Sequence, residues 1–203
     1  MILGSKKKTA VFLDRDGTIN VEVDYLSNPD DFVLVDGSAA AIARLNEIGV
    51  LVIVVSNQSG VARGYFSEAD VARVNEKMIR ELEEHGARLD AIYYCPHHPD
   101  GVIENYRIEC RCRKPGPAMV EEAQSRFKID IDSSFVVGDH RGDVMLAKNL
   151  GARSVLVLTG HGMGEKDKLD REGVAPDRVA RDLKEAVEYI DEILERRTHH
   201  GNR

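Results

Sequence analysis

Asp14 and Asp16 stand one residue apart at the end of an apolar run, and Gly17 follows them. Two acids this close repel each other unless a cation sits between them, so the pair points to a hard metal ion such as magnesium. A carboxylate can also attack phosphorus and form an aspartyl phosphate, which makes Asp14 a candidate nucleophile. Ser56-Asn57-Gln58-Ser59-Gly60 joins a hydroxyl to a loop whose backbone amides suit phosphate oxygens. In Arg113-Lys114-Pro115, Lys114 offers a point charge for a phosphoryl group and Arg113 a planar fork for a second phosphate or a carboxylate. Gly138-Asp139 brings a further oxygen ligand for magnesium. Asp143, one helical turn on, either joins it or caps the helix that follows.

A second ligand set is softer. Cys95, His97, Cys110 and Cys112 provide three thiols and an imidazole, the donors of a closed tetrahedral zinc site. All 3 cysteines fall in the stretch 95–117, which also holds Pro96, Pro99, Pro115 and Pro117. That is a poor place for buried hydrophobes and a good one for a metal clamp. His98 competes with His97 for the fourth position. The stretch runs from Cys112 straight into Arg113 and Lys114, so a bound zinc ion would preorganise that basic pair over the crevice.

The elements that must carry these residues alternate. Apolar strands are expected over 9–13, 50–55, 89–94, 134–137 and 154–158, with helices over 38–48, 68–85, 118–127, 144–150 and 183–194. Such β-α alternation implies an α/β fold: a mostly parallel sheet, right-handed crossovers and helices on both faces. The carboxyl ends of its strands open onto the ligand crevice, which is where the motifs fall. One domain is expected over 1–203, with a core at 9–162, a metal loop at 95–113 and a helical extension at 165–203. Residues 198–203 read as a frayed tail.

Composition narrows the function. The formal net charge of −7 argues against broad nucleic-acid binding, which needs a basic surface. No apolar run approaches the ~20 residues of a membrane span, and 1–8 holds no apolar stretch of signal-peptide length. The expectation is a cytoplasmic, monomeric protein with reduced cysteines, acting on a small molecule.

In these four motifs, taken in order, the chain resembles the haloacid dehalogenase-like phosphatases. The match covers Asp14 to Thr18, Ser56, Lys114, and Asp139 with Asp143. The resemblance implies a Rossmann-like three-layer α/β/α fold and a two-step mechanism. Asp14 attacks phosphorus, and Asp16 protonates the leaving oxygen and then activates water. Magnesium is held by Asp14, the Asp16 backbone carbonyl and Asp139, while Ser56 and Lys114 bind the transferring phosphoryl oxygens. The Cys-x-His and Cys-x-Cys pairs, with Asn20 and Cys112-Arg113-Lys114-Pro115, narrow the likeness to the subfamily of heptose bisphosphate and histidinol-phosphate phosphatases. That subfamily lacks a large cap domain. Its likeness favours His97 as the zinc ligand and implies removal of the C7 phosphate of a heptose 1,7-bisphosphate for lipopolysaccharide core or nucleotide-heptose synthesis. It also implies substrate contacts from Glu22, Tyr25, Asn57, Gln58, Ser59 and Arg113. Two alternatives stay open. Histidinol phosphate shares the chemistry, and a phosphoacceptor signalling domain shares the strand-end Asp, the hydroxyl and the lysine.

Overall fold

The structure is a computed structural model that describes residues 7–200. Six strands form one sheet: β1 (Ala10–Leu13), β2 (Leu51–Asn57), β3 (Ala91–Cys95), β4 (Phe135–Gly138), β5 (Arg153–Val157) and β6 (Arg178–Ala180). Their order is β3-β2-β1-β4-β5-β6, and every neighbouring pair is parallel. β1 is therefore central, with β2 and β4 on its two sides and Leu13 in register with Val54 and Val137. At this point the strand order reverses, and the crevice of an open α/β sheet lies there.

Strand side chains alternate between two apolar layers, as a period of two requires. Val11, Leu13, Val52, Val54 and Val137 face helices α1 (Ser38–Glu47), α2 (Glu68–Glu84) and α6 (Leu183–His200). Phe12, Ile53, Val55 and Val136 face α3 (Ala118–Arg126) and α4 (Arg141–Leu150). Leu156 packs on Leu169 of α5 (Gly162–Glu172) beside Val144 of α4. The result is the expected α/β/α sandwich, with no large cap.

Several boundaries differ from the sequence reading, each for a local reason. Helix α4 starts at Arg141 rather than 144, because His140 is its N-cap and Asp143 closes the capping box from inside the first turn. The segment after 164 is not purely helical: β6 extends the sheet beside β5, with Leu156 opposite Val179. Three residues are too short to show strand alternation, and α5, which opens Gly-Met-Gly, carries little apolar periodicity. Helix α6 continues to His200, beyond 194 and into the stretch read as a tail. The reading of 1–8 as lacking a signal peptide falls mostly on residues 1–6, which, like 201–203, lie outside the described residues. Among the described residues, no helix is long and apolar enough to cross a membrane.

Candidate active site

Asp14 leaves β1 with its amide donating to the Val137 carbonyl (2.9 Å), so it emerges directly beside β4, where Asp139 emerges. The turn after it depends on Gly17, at φ 74°: a Cβ there would collide with the Asp139 carboxylate. The His161 amide, from the β5 end, donates to Asp139 Oδ2 (2.8 Å). Lys114 is buried, its Nζ 2.9 Å from Asp14 Oδ2 and 2.6 Å from Asp143 Oδ1. Asp143 thus serves two partners, since its other oxygen accepts from the His140 amide as part of the α4 cap.

Carboxylate oxygens of Asp14, Asp139 and Asp143 lie within 4.8 Å of one another. Burial, reinforced by the Asp14 charge, pushes the Asp139 carboxyl up to about 8. Burial also carries Asp143 up to about 7 against the pull of Lys114. Lys114 itself is raised to about 12, because Asp14 and Asp143 outweigh its burial. One lysine does not neutralise three acids. An oxygen-only donor set with excess negative charge fits a hard divalent cation such as magnesium.

Asp16 is absent from that cluster because its carboxylate turns to other partners. Oδ1 accepts from Arg15 Nε (3.2 Å), Arg15 Nη2 (3.1 Å) and Asn20 Nδ2 (3.0 Å). Oδ2 accepts from Arg15 Nη2 (2.9 Å) and Gln58 Nε2 (2.8 Å). Burial works to raise this acid, but the Arg15 charge and the hydrogen bonds from Arg15, Asn20 and Gln58 hold it below its usual value.

Residues at the end of β2 complete the floor. Ser56 is buried and accepts from Gln58 Nε2 (2.8 Å), so Gln58 links the hydroxyl to Asp16. Asn57 grips the backbone of Lys114: Oδ1 accepts from its amide (2.9 Å) and Nδ2 donates to its carbonyl (3.3 Å). Ser59 lines the same crevice, whose volume is about 480 Å³. Glu22 and Tyr25 stand on the rim, Glu22 accepting from the Asp24 amide (2.7 Å) and Tyr25 packing edge-on against Tyr65 at 4.7 Å. Arg113 also lines the crevice, and its buried Nη1 has no hydrogen-bond partner among the described residues.

Beside the crevice, Cys95, at the end of β3, meets His97, Cys110 and Cys112. The sulfurs are 3.5 Å (95 to 110), 3.1 Å (95 to 112) and 3.1 Å (110 to 112) apart. His97 Nδ1 lies 3.7 Å from the Cys95 sulfur and 3.2 Å from that of Cys112. Zinc bonds of about 2.3 Å to sulfur and about 2.0 Å to nitrogen give tetrahedron edges of about 3.5–3.8 Å, so the four donors converge on one point and need only spread slightly to hold the ion. His98 is engaged elsewhere: Nδ1 accepts from the Asp100 amide (3.1 Å), and Nε2 lies 3.2 Å from Arg63 Nη2. The donor set and its spacing fit zinc.

A HAD-hydrolase-like family model matches residues 111–186. The D-glycero-beta-D-manno-heptose-1,7-bisphosphate 7-phosphatase of Photorhabdus laumondii is 46% identical over 153 residues, which cover 74% of this chain and 81% of that protein. The enzyme of the same name from Escherichia coli K12 is 45% identical over 158 residues, 77% of this chain and 82% of its own length. The chain belongs to this phosphatase family. A crystal structure of D,D-heptose 1,7-bisphosphate phosphatase from B. bronchiseptica, complexed with magnesium and phosphate, superposes with a TM-score of 0.80 at 35% identity. The match covers 91% of this chain and 98% of that one.

In this member of the heptose bisphosphate phosphatase family, sequence reasoning missed two groups at the site. Arg15, between the two motif acids, is 1% exposed, and nothing local to the sequence distinguishes it from a solvated arginine. The start of α5 supplies a crevice wall: Glu165, buried, accepts from the Arg141 amide (2.9 Å) and pairs with Lys168 (2.5 Å) on the rim. The only available signal was position, because α5 follows the carboxyl end of β5.

Proposed function

We propose that the chain removes the C7 phosphate of D-glycero-D-manno-heptose 1,7-bisphosphate, leaving heptose 1-phosphate, with Asp14 as the nucleophile. The observation that carries this reading is the ion pair of buried Lys114 with Asp14, in a crevice that Ser56, Asp16 and Asp139 also line. Lys114 would draw the C7 phosphoryl oxygens onto the line of attack and offset their charge, and the Ser56 hydroxyl would donate to one of them. The arriving phosphate dianion favours the neutral form of Asp16, against the pull of Arg15. As the bond from Asp14 to phosphorus forms and the bond from phosphorus to the sugar oxygen breaks, Asp16, so protonated, would give that oxygen its proton. In the second step Asp16, now a carboxylate, would take a proton from the water that attacks phosphorus, freeing Asp14 and inorganic phosphate. A magnesium ion held by Asp14, the Asp16 carbonyl and Asp139 would, when bound, neutralise phosphoryl charge.

Zinc bound by Cys95, His97, Cys110 and Cys112 would shape the loop rather than take part in chemistry, since protein fills all four positions. That loop also docks on the β2 loop, where the Ala62 carbonyl accepts from the Val102 (2.8 Å) and Ile103 (3.0 Å) amides. Its chain leads into Arg113, whose unpartnered Nη1 suits the phosphate that is not removed. This feature favours a second anion on the substrate over the cationic amine of histidinol phosphate.

The test is phosphate release over the two heptose bisphosphate anomers, histidinol phosphate and simple sugar phosphates, with magnesium present. A heptose bisphosphate should have the highest kcat/KM. A higher value for histidinol phosphate would overturn the assignment.

A further inference from the structure

Arg15 is the largest side chain in the fully buried interior, and a buried cation is costly unless it is paired and hydrogen-bonded. Its one ion-pair partner among the described residues is Asp16. Its backbone carbonyl also accepts the amides of Thr18 (3.3 Å), Ile19 (2.8 Å) and Asn20 (3.2 Å), so the residue is the hub of the turn that carries Asp16. At its far end the guanidinium is anchored as well: Nη1 donates to Asn75 Oδ1 (3.0 Å), on helix α2.

That helix is itself tied down on the same side. Glu68 is seven residues, or two turns, before Asn75. It accepts from the Tyr94 hydroxyl (2.7 Å) on β3 and the Tyr106 hydroxyl (2.6 Å) in the cysteine loop. Asn75 thus stands on a helix anchored at its start, and Arg15 spans from it to Asp16. Both guanidinium edges are spent in this way, one on each partner. The side chain is 1% exposed and is not among the residues that line the crevice, so it is not placed to meet a substrate.

We propose that Arg15 is a positioning residue that serves turnover only through Asp16, with Asn75 as its anchor, by holding the Asp16 carboxylate at one place in the crevice wall. The inference rests on the reading of Asp16 as the acid and base of the reaction. It goes beyond that reading by assigning a function to the residue between the two motif acids. An acid–base group off its line by a fraction of an ångström loses much of its effect, which is worth roughly 10²–10⁴-fold when the group is well placed.

The experiment is a double-mutant cycle on heptose 1,7-bisphosphate, measuring kcat and KM for Arg15→Gln, Asp16→Asn and the double variant, with thermal melting as the check on folding. Arg15→Gln should lower kcat about ten- to a hundredfold and leave KM within about twofold. In the Asp16→Asn background the same change should alter kcat by less than about twofold, because its target is gone. Asn75→Ala frees only one end of the guanidinium and should lower kcat about three- to tenfold, again only when Asp16 is present. It carries the test if Arg15→Gln does not fold. Losses that add in full, or a change confined to KM, would overturn the positioning role while leaving Asp16 as the acid and base. Wild-type turnover by Asp16→Asn would sink the acid–base reading, and the Arg15 inference with it.

Discussion

The acidic crevice draws Asp14, Lys114, Asp139 and Asp143 from three separate strand ends and loops, whereas Cys95, His97, Cys110 and Cys112 come from one short stretch of chain. The crevice is held by the sheet: the register of β1 with β4 sets Asp14 beside Asp139, and Lys114 already balances part of the charge. The cysteine cluster rests on the end of β3 and on a few loop hydrogen bonds, to the Ala62 carbonyl and from Tyr106 to Glu68, and burial pushes the Cys95 thiol well above its usual range. A metal ion that stabilises thiolates would supply there the cohesion that strands supply in the crevice. One region should keep its shape without its ion, and the other should not.

The largest effect expected is at the nucleophile. Asp14→Asn should abolish phosphate release while keeping the fold and a full zinc content, because an amide cannot attack phosphorus. Phosphate assay and elemental analysis on the same sample would check both halves. Near wild-type turnover would break the covalent mechanism.

Lys114→Ala comes next. Removing a buried ion-pair partner leaves its acids uncompensated, at a cost of about 3–5 kcal/mol of stability. Activity should fall on heptose bisphosphate and on p-nitrophenyl phosphate alike, because both present the same phosphoryl group. A loss limited to one substrate would show that Lys114 does not serve the transferred phosphate.

The comparison sharpens at Arg113 and the cysteines. Arg113→Ala should lower kcat/KM on the bisphosphate roughly ten- to a hundredfold, the worth of a charge-assisted hydrogen bond, with a much smaller loss on p-nitrophenyl phosphate. Cys110→Ser should give the same selective pattern together with loss of zinc and a lower melting temperature. Purified wild-type protein should hold close to one zinc per chain. Zinc-free protein that keeps both its melting temperature and its substrate preference would remove the distinction between the two regions.

The smallest effect is a pH dependence confined to the crevice. In magnesium-free, zinc-loaded protein the folded-state values of Asp139 and Asp143 lie at about 8 and about 7, above their ordinary value of 3.8. A raised carboxyl favours the folded state fully at low pH and loses that contribution as pH rises through the folded value. Melting temperature should therefore decline between about pH 5 and pH 9, and added magnesium should flatten the decline. A melting temperature that rises over this range without magnesium would contradict the crowding of acids.

Much of this site was legible because its residues follow strands, and buried strands announce themselves. The run before Asp14 and the run before Ser56 are apolar on both faces, which only a central parallel strand requires. The crevice end of such strands is a rule of the fold class, so the apolar runs alone place Asp14, Ser56 and Asp139 together. The short β6 and the glycine-bearing start of α5 carry no such period, and Glu165 and Lys168 went unseen with them. Asn57 and Gln58 line the crevice, and the contacts they make there, Asn57 with the Lys114 backbone and Gln58 with Asp16 and Ser56, are long-range ones that the spacing of residues does not show.

The sequence by itself determined the layer order, the chemical kinds of the two ligand sets and the strand ends that bear the acids. These follow from hydrophobic period and donor type, which are local properties of the chain. Only the tertiary structure decided that Asp143 both caps α4 and pairs with Lys114, that His98 turns to Arg63 rather than to the thiols, and that Arg15 is interior. Each depends on which long-range neighbour reaches a polar atom first. That is set by crossover geometry and by the need to satisfy every buried charge, and neither is written in the spacing of residues along the chain.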